Sequence, residues 1–124
     1  MKVLIADDEP LARTRLARMA AQLPGCRVLD EQAATGTQVL ELCERLQPDI
    51  LLLDIQMPEL DGLEVAAILD RRENSPAIIF CTAHDEFALP AFAVNALGYL
   101  VKPVRMEQLQ QAVERAARLN PMQR

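Results

Sequence analysis

Cysteine and histidine are scarce in this 124-residue chain: Cys26, Cys43 and Cys81 stand far apart with no Cys-x-x-Cys, and His84 is the single histidine. An odd, dispersed set argues against a disulfide framework and against structural zinc. No apolar run approaches the ~20 residues that a bilayer-spanning helix needs, so no membrane segment is expected. The opening residues, Met1-Lys2 and a short apolar run ended by Asp7-Asp8-Glu9, lack the apolar stretch and cleavage site of a signal peptide. A cytoplasmic location is expected. Basic residues are in deficit, 13 Lys and Arg against 18 Asp and Glu, for a net charge of -5. Such a chain offers no general attraction to nucleic acid, whose binding rests on phosphate neutralisation; any DNA contact falls to another domain. Internal repeats and low-complexity tracts are absent. A Gly-rich phosphate loop is missing from the first strand-to-helix turn, which disfavours a nucleotide-binding enzyme.

What is present is an ordinary globular composition, 51% apolar and 25% charged. The chain is long enough to bury one core and too short for an eight-stranded α/β barrel. Strand-like runs alternate with helical patterns five times. After Val3-Leu4-Ile5-Ala6, Pro10 to Leu23 carries a helical stripe at Leu11, Leu16, Met19, Ala20 and Leu23, closed by Pro24-Gly25. Arg27 to Ala33 reads as a strand too polar to be covered on both faces, hence an edge strand. A helix after Thr35-Gly36 should bury Val39, Leu40, Cys43 and Leu46. Ile50 to Leu53, the most apolar run, belongs at the sheet centre.

The loop Met57-Pro58-Glu59-Leu60-Asp61-Gly62 leads to a helix over Leu63 to Arg72, and Ala77 to Thr82 is the fourth strand. Pro90 restricts the fourth helix, within Asp85 to Val94, to a short segment or one starting near Leu89. Gly98 to Val101 is the fifth strand. Met106 to Leu119 is an amphipathic helix with Leu109, Ala112, Val113, Ala116 and Leu119 inward. This alternation predicts a (βα)5 flavodoxin-like α/β sandwich with a parallel five-stranded sheet in the order 2-1-3-4-5. Residues 1–119 form the domain, and 120–124 read as the start of a linker to an output domain outside this sequence.

In that order the first and third strands are neighbours at the topological switch point, so Asp7, Asp8 and Asp54 converge at one sheet edge. Clustered carboxylates repel unless a cation joins them; oxygen ligands suit Mg²⁺ (or Mn²⁺), which usually binds a phosphate as well. A carboxylate can attack phosphorus to give an aspartyl phosphate, with a metal and a lysine offsetting charge on the transferring group. Asp54, alone at the end of the central strand, is the candidate nucleophile. Asp7 and Asp8 form a metal pair, Lys102 approaches from the fifth strand, and Thr82 supplies a hydroxyl between them. Singly, each residue has an ordinary reading: Asp8 or Glu9 as a helix cap, Asp54 as a turn residue, Thr82 as a β-former and Lys102 as a solvated cation. Their convergence at four strand ends favours the chemical reading.

Asp7-Asp8, Asp54, Met57-Pro58 with Asp61-Gly62, Thr82-Ala83 and Lys102-Pro103 together resemble the receiver domains of two-component response regulators, over essentially the whole chain. The tract Thr82 to Ala88, followed by Ala91-Phe92, Asn95-Ala96 and Tyr99 to Pro103, is similar to the LytTR branch and most like its alginate-type regulators. The resemblance implies that residues 1–119 are a receiver and that Asp54 accepts a phosphoryl group from the phosphohistidine of a sensor histidine kinase. It further implies Mg²⁺ held by Asp8, Asp54 and the Gln56 backbone carbonyl, with Asp7 acting through water. Thr82 and Lys102 would contact the phosphoryl oxygens, Thr82 and Tyr99 would switch, and the Lys102-Pro103 bond would be cis.

A homodimer through helix 4, strand 5 and helix 5 is implied too, with Phe87, Phe92, Leu97 and Tyr99 as its apolar candidates. Pro90 makes that helix irregular. Gln56 and His84 occupy positions that tune phosphoryl lifetime in the family, while His84 reads more simply as a solvated loop histidine. The output would be LytTR-type DNA-binding regulation, and the chain would be no enzyme beyond catalysing its own phosphorylation and dephosphorylation. Two alternatives stand beside this one. A pseudo-receiver would bind partners without phosphate, and a haloacid-dehalogenase-type phosphatase would need an acid where Gln56 stands.

Overall fold

A computed structural model describes residues 1–119. The elements are β1 (Lys2–Ala6), α1 (Pro10–Ala21), β2 (Arg27–Val28), α2 (Gly36–Leu46), β3 (Ile50–Leu53), α3 (Gly62–Asp70), β4 (Ala77–Thr82), α4 (Ala88–Ala93), β5 (Gly98–Val101) and α5 (Met106–Arg118). All strand pairs are parallel and the order is β2-β1-β3-β4-β5, as predicted. β3 is buried along its whole length because α/β crossovers cover both faces of a parallel sheet. Side chains alternate between two cores. Leu4, Leu51, Leu53, Ile78 and Phe80 meet Val39, Leu42, Val65 and Leu69 of α2 and α3. On the other face Val3, Ile5, Ile50, Leu52 and Ile79 meet Leu16 and Ala20 of α1 and Leu109, Ala112 and Val113 of α5.

The second strand departs from expectation. It keeps two residues, after which Leu29 still donates to the Val3 carbonyl; Asp30, Glu31 and Gln32 loop outward, and Ala33 returns to bridge Ala6. Strand periodicity explains why. Leu29 and Ala33 are buried, and in a regular strand Glu31 would share their face. Desolvating a carboxylate costs several kcal/mol, more than the ~1 kcal/mol net of each ladder hydrogen bond lost. Glu31 instead reaches Arg45 of α2 through two contacts, at 3.0 and 2.6 Å.

Four apolar assignments also change. Leu11 is 85% exposed and Leu119 67% exposed, at opposite helix ends where the stripe drifts off the core. Leu40 and Leu46, expected to be buried, are only half-buried, whereas Leu42 is buried; Met19 of the α1 stripe is half-buried too but keeps its place against the core. α3 begins one residue earlier than predicted, because Asp61 and Glu64 cap it reciprocally at 2.8 and 3.0 Å. α4 is short, as Pro90 required. The proline falls in the first turn, where no intrahelical N–H bond is lost. The expected linker at 120–124 lies outside the described residues. Among the described residues no helix is long and apolar enough to cross a membrane.

Candidate functional site

Register brings the acids together. Ala6 lies opposite Leu53, so Asp7 and Asp54, each the next residue along, leave neighbouring strands side by side. The Asp54 amide donates to the Ala6 carbonyl at 3.0 Å and locks that alignment. One ligand oxygen from each of Asp7, Asp8 and Asp54 falls within 4.8 Å of the others. Asp7 and Asp54 are buried, and Asp8 faces solvent. The capping alternative is not realised: Glu9 stands at the N-cap of α1 and its side chain caps nothing.

Lys102 closes the site from the loop after β5. Its Nζ lies 2.7 Å from Asp7 Oδ2, 3.2 Å from Asp54 Oδ2 and 3.6 Å from Glu9 Oε1. Burial alone would lower the lysine pKa, but the hydrogen bond to Asp7 and the charges of Asp54 and Asp7 hold it up at about 12. Burial raises the Asp7 carboxyl above its ordinary value, against hydrogen bonds from Lys102 and the Glu9 amide. The Asp54 charge pushes Asp7 the same way.

Lys102 leaves one acceptor unsatisfied. Among the described residues, buried Asp54 Oδ1 has no hydrogen-bond partner, which ordinarily costs about 1–3 kcal/mol. A divalent cation or a phosphoryl group at that oxygen would remove the penalty, and three carboxylates with an open, solvent-facing side match the hard oxygen ligation Mg²⁺ prefers. Gln56 is exposed, and among the described residues no hydrogen bond ends on its carbonyl, which leaves that oxygen free to join them. The β3–α3 loop carrying Gln56 is seated by two glycines. A Cβ on Gly62 would collide with the Asp54 carbonyl and come 2.8 Å from Ile55 Cα, and one on Gly36 would collide with the Leu60 carbonyl.

Thr82 is fully buried at the end of β4, and its hydroxyl accepts from the His84 amide at 3.4 Å. The Lys102 amide donates to the Thr82 carbonyl at 2.8 Å, joining the two strand ends. Tyr99 is half-buried with its ring 6.2 Å from Phe80, and its hydroxyl donates to the His84 carbonyl. His84 Nδ1 lies 3.1 Å from Glu86 Oε1 on the partly exposed β4–α4 loop. The Lys102-Pro103 peptide is cis, as expected. Of the four apolar candidates for a contact face, Phe87, Leu97 and Tyr99 pack against the cores and only Phe92 is exposed. Leu89 and Val101, not anticipated, are exposed as well.

Sequence reasoning also missed Arg13 and Gln32. Arg13 Nη1 donates to the Asp7 carbonyl at 2.6 Å and its Nε to Gln32 Oε1 at 3.2 Å. An arginine on a helix already rich in arginine carries no signal of this, and Gln32 reaches the rim only because β2 loops out.

The sequence profile described as the response regulator receiver domain matches residues 3–114. The chain is 63% identical over 123 residues to the positive alginate biosynthesis regulatory protein of Pseudomonas aeruginosa, covering 99% of this chain and 50% of that protein. It is 39% identical over 115 residues to the transcriptional regulatory protein LytR of Staphylococcus aureus, covering 93% of this chain and 46% of that one. The chain thus spans about half the length of the curated relatives it matches. Among solved structures, the response regulatory domain of mrkE from Klebsiella pneumoniae superposes with a TM-score of 0.89 at 28% identity, covering 98% of this chain and 99% of that one. The expected likeness to the LytTR branch and its alginate-type regulators is met.

Proposed function

The chain belongs to the response regulator receiver domain family, and on that premise we propose that it is a phosphorylatable switch whose acceptor is Asp54. The observation that carries this is the buried, unpartnered Asp54 Oδ1, beside two further carboxylates and with a lysine on its other oxygen. Asp54 attacks the phosphorus of a sensor histidine kinase's phosphohistidine; a P–O bond forms as the P–N bond breaks, and the freed imidazole takes a proton. Asp8, Asp54 and the Gln56 carbonyl would hold Mg²⁺ or Mn²⁺, with Asp7 acting through water, and the bound ion would supply positive charge for the transferring oxygens. Lys102 neutralises one phosphoryl oxygen and Thr82 donates its hydroxyl to another, an exchange that requires Thr82 to turn toward the site.

Tyr99 is the second half of the switch. Its hydroxyl is tied to the loop that begins at Thr82, so movement there reaches the face formed by α4, β5 and α5. Exposed Leu89, Phe92 and Val101 support a homodimer through that face on phosphorylation. Unchanged sedimentation with a phosphoryl mimic would count against it. The output is transcriptional, through a LytTR-type DNA-binding segment outside this chain; the names of the alginate and LytR relatives support that reading. The chain works in the cytoplasm and catalyses only its own phosphorylation and dephosphorylation. Gln56, where a phosphatase would need a second acid, supports this.

Incubation with Mg²⁺ and a small phosphodonor should add one phosphate to the wild type and none to Asp54→Ala. Labelling that survives the substitution would overturn the assignment. A pseudo-receiver that works without phosphate draws support from Lys102, which already pairs with Asp7 and Asp54 unaided. Failure both to bind Mg²⁺ and to label would favour it.

A further inference from the structure

We propose that Arg13 is a positioning residue for the cation site, acting through the peptide that joins Asp7 to Asp8. The inference rests on the reading of the acids as a Mg²⁺ site. Asp7 is anchored at four points: its amide donates to the Ala33 carbonyl at 3.0 Å, its Oδ1 accepts from the Glu9 amide at 2.9 Å, its Oδ2 accepts from Lys102 Nζ at 2.7 Å, and its carbonyl accepts from Arg13 Nη1 at 2.6 Å. Asp8 has no such support. It is exposed, and among the described residues its carboxylate accepts no hydrogen bond. Its position relative to Asp54 therefore depends on how the Asp7–Asp8 peptide is held, and Arg13 grips that peptide's oxygen.

Gln32 steadies the grip. It accepts from Arg13 Nε at 3.2 Å, so the planar guanidinium is fixed from two sides at once. Gln32 belongs to the outward loop of β2, the segment in which strand pairing was abandoned. That loop thus joins the rim of the site, through Arg13, to the turn carrying two of its acids. A lysine at position 13 could not reproduce the fork, because an ammonium lacks the two fixed, divergent donors.

Charge and geometry predict opposite signs here. A guanidinium beside a cation site repels the ion, so charge alone says that removing Arg13 tightens Mg²⁺ binding; a positioning role says that removal weakens it. Isothermal titration of this chain with Mg²⁺ separates them. We expect Arg13→Gln and Arg13→Lys each to bind about 10-fold more weakly, as loss of groups that orient metal ligands commonly does. Gln32→Ala should lose about 3-fold, and the Arg13→Gln, Gln32→Ala double variant should be no weaker than Arg13→Gln alone, since both act through one fork. At saturating Mg²⁺ all variants should label with phosphodonor at the wild-type rate. Gln32 is an exposed loop residue whose substitution spares the core, which keeps the test decisive if Arg13 variants fold poorly. Wild-type binding with Arg13→Gln equal or tighter would overturn the inference, as would labelling still depressed at saturating Mg²⁺. A wild type that binds no Mg²⁺ would overturn the underlying site reading instead.

Discussion

The Lys102 ammonium lies 2.7 Å from Asp7 Oδ2, joining residues 95 positions apart across the full breadth of β3 and β4. The carboxylate is wholly buried and the lysine side chain keeps a fifth of its surface exposed. One cation thus holds the first and last strands of the site in register with the central acid. It also neutralises charge that a metal would otherwise have to balance alone.

Replacing Lys102 with Ala should therefore destabilise the metal-free protein by about 2 kcal/mol in urea unfolding. That is below the 3–5 kcal/mol of a fully buried pair, because water reaches the lysine. Saturating Mg²⁺ should recover more stability in the variant than in the wild type, since the ion replaces the missing charge. Phosphodonor labelling should slow by roughly 100-fold. Equal stability of the two proteins without metal would show that the pair contributes nothing.

Gly62→Ala should cost about 1–3 kcal/mol in urea unfolding, because the added methyl meets the backbone of Asp54 and Ile55 rather than a yielding side chain. The displaced loop carries Gln56, so Mg²⁺ affinity should fall with stability. Gly25→Ala is the control. Its φ of +80° makes alanine strained, yet nothing lies within 4 Å, and its loss should leave Mg²⁺ binding untouched.

Thiol chemistry gives a pH-dependent outcome. Burial pushes Cys43 and Cys81 from the ordinary 9.0 up to about 12, whereas unfolded thiols ionise near their ordinary value. The unfolded state therefore releases these protons first as pH rises. The contribution to stability is complete below about pH 9 and is lost progressively toward pH 12. Near neutral pH an alkylating reagent should modify half-buried Cys26 in the native protein and reach the other two only in urea. The alkaline fall in stability should be shallower in Cys81→Ala than in the wild type. Native-state labelling of Cys81 would contradict the burial on which this rests.

Much of the site was legible because its members sit where apolar runs stop: Asp7 after Ala6, Asp54 after Leu53, Lys102 after Val101. A run of Ile and Leu announces a buried strand, and a charge directly after it marks the sheet edge. Leu11 and Leu119 were misjudged because helical spacing gives the face of a residue but not where the helix outruns the core. The Arg27–Ala33 strand was misjudged for a related reason. Polar composition identified an edge, while the cost of burying Glu31, which broke the ladder, depended on Leu29 and Ala33 both facing the core.

Local pattern by itself determined the β-α alternation, the apolar central strand, the short helix at Pro90 and the identity of the acids and the lysine. These follow from periods of 2 and 3.6 residues and from single-residue backbone constraints, which act over a few neighbours. Tertiary structure alone decided which charged groups touch, that Asp54 Oδ1 is left without a partner and that Arg13 reaches the Asp7 carbonyl. Those facts depend on strand register and on a loop pushed out of the sheet, and both are set by packing between segments far apart in the chain.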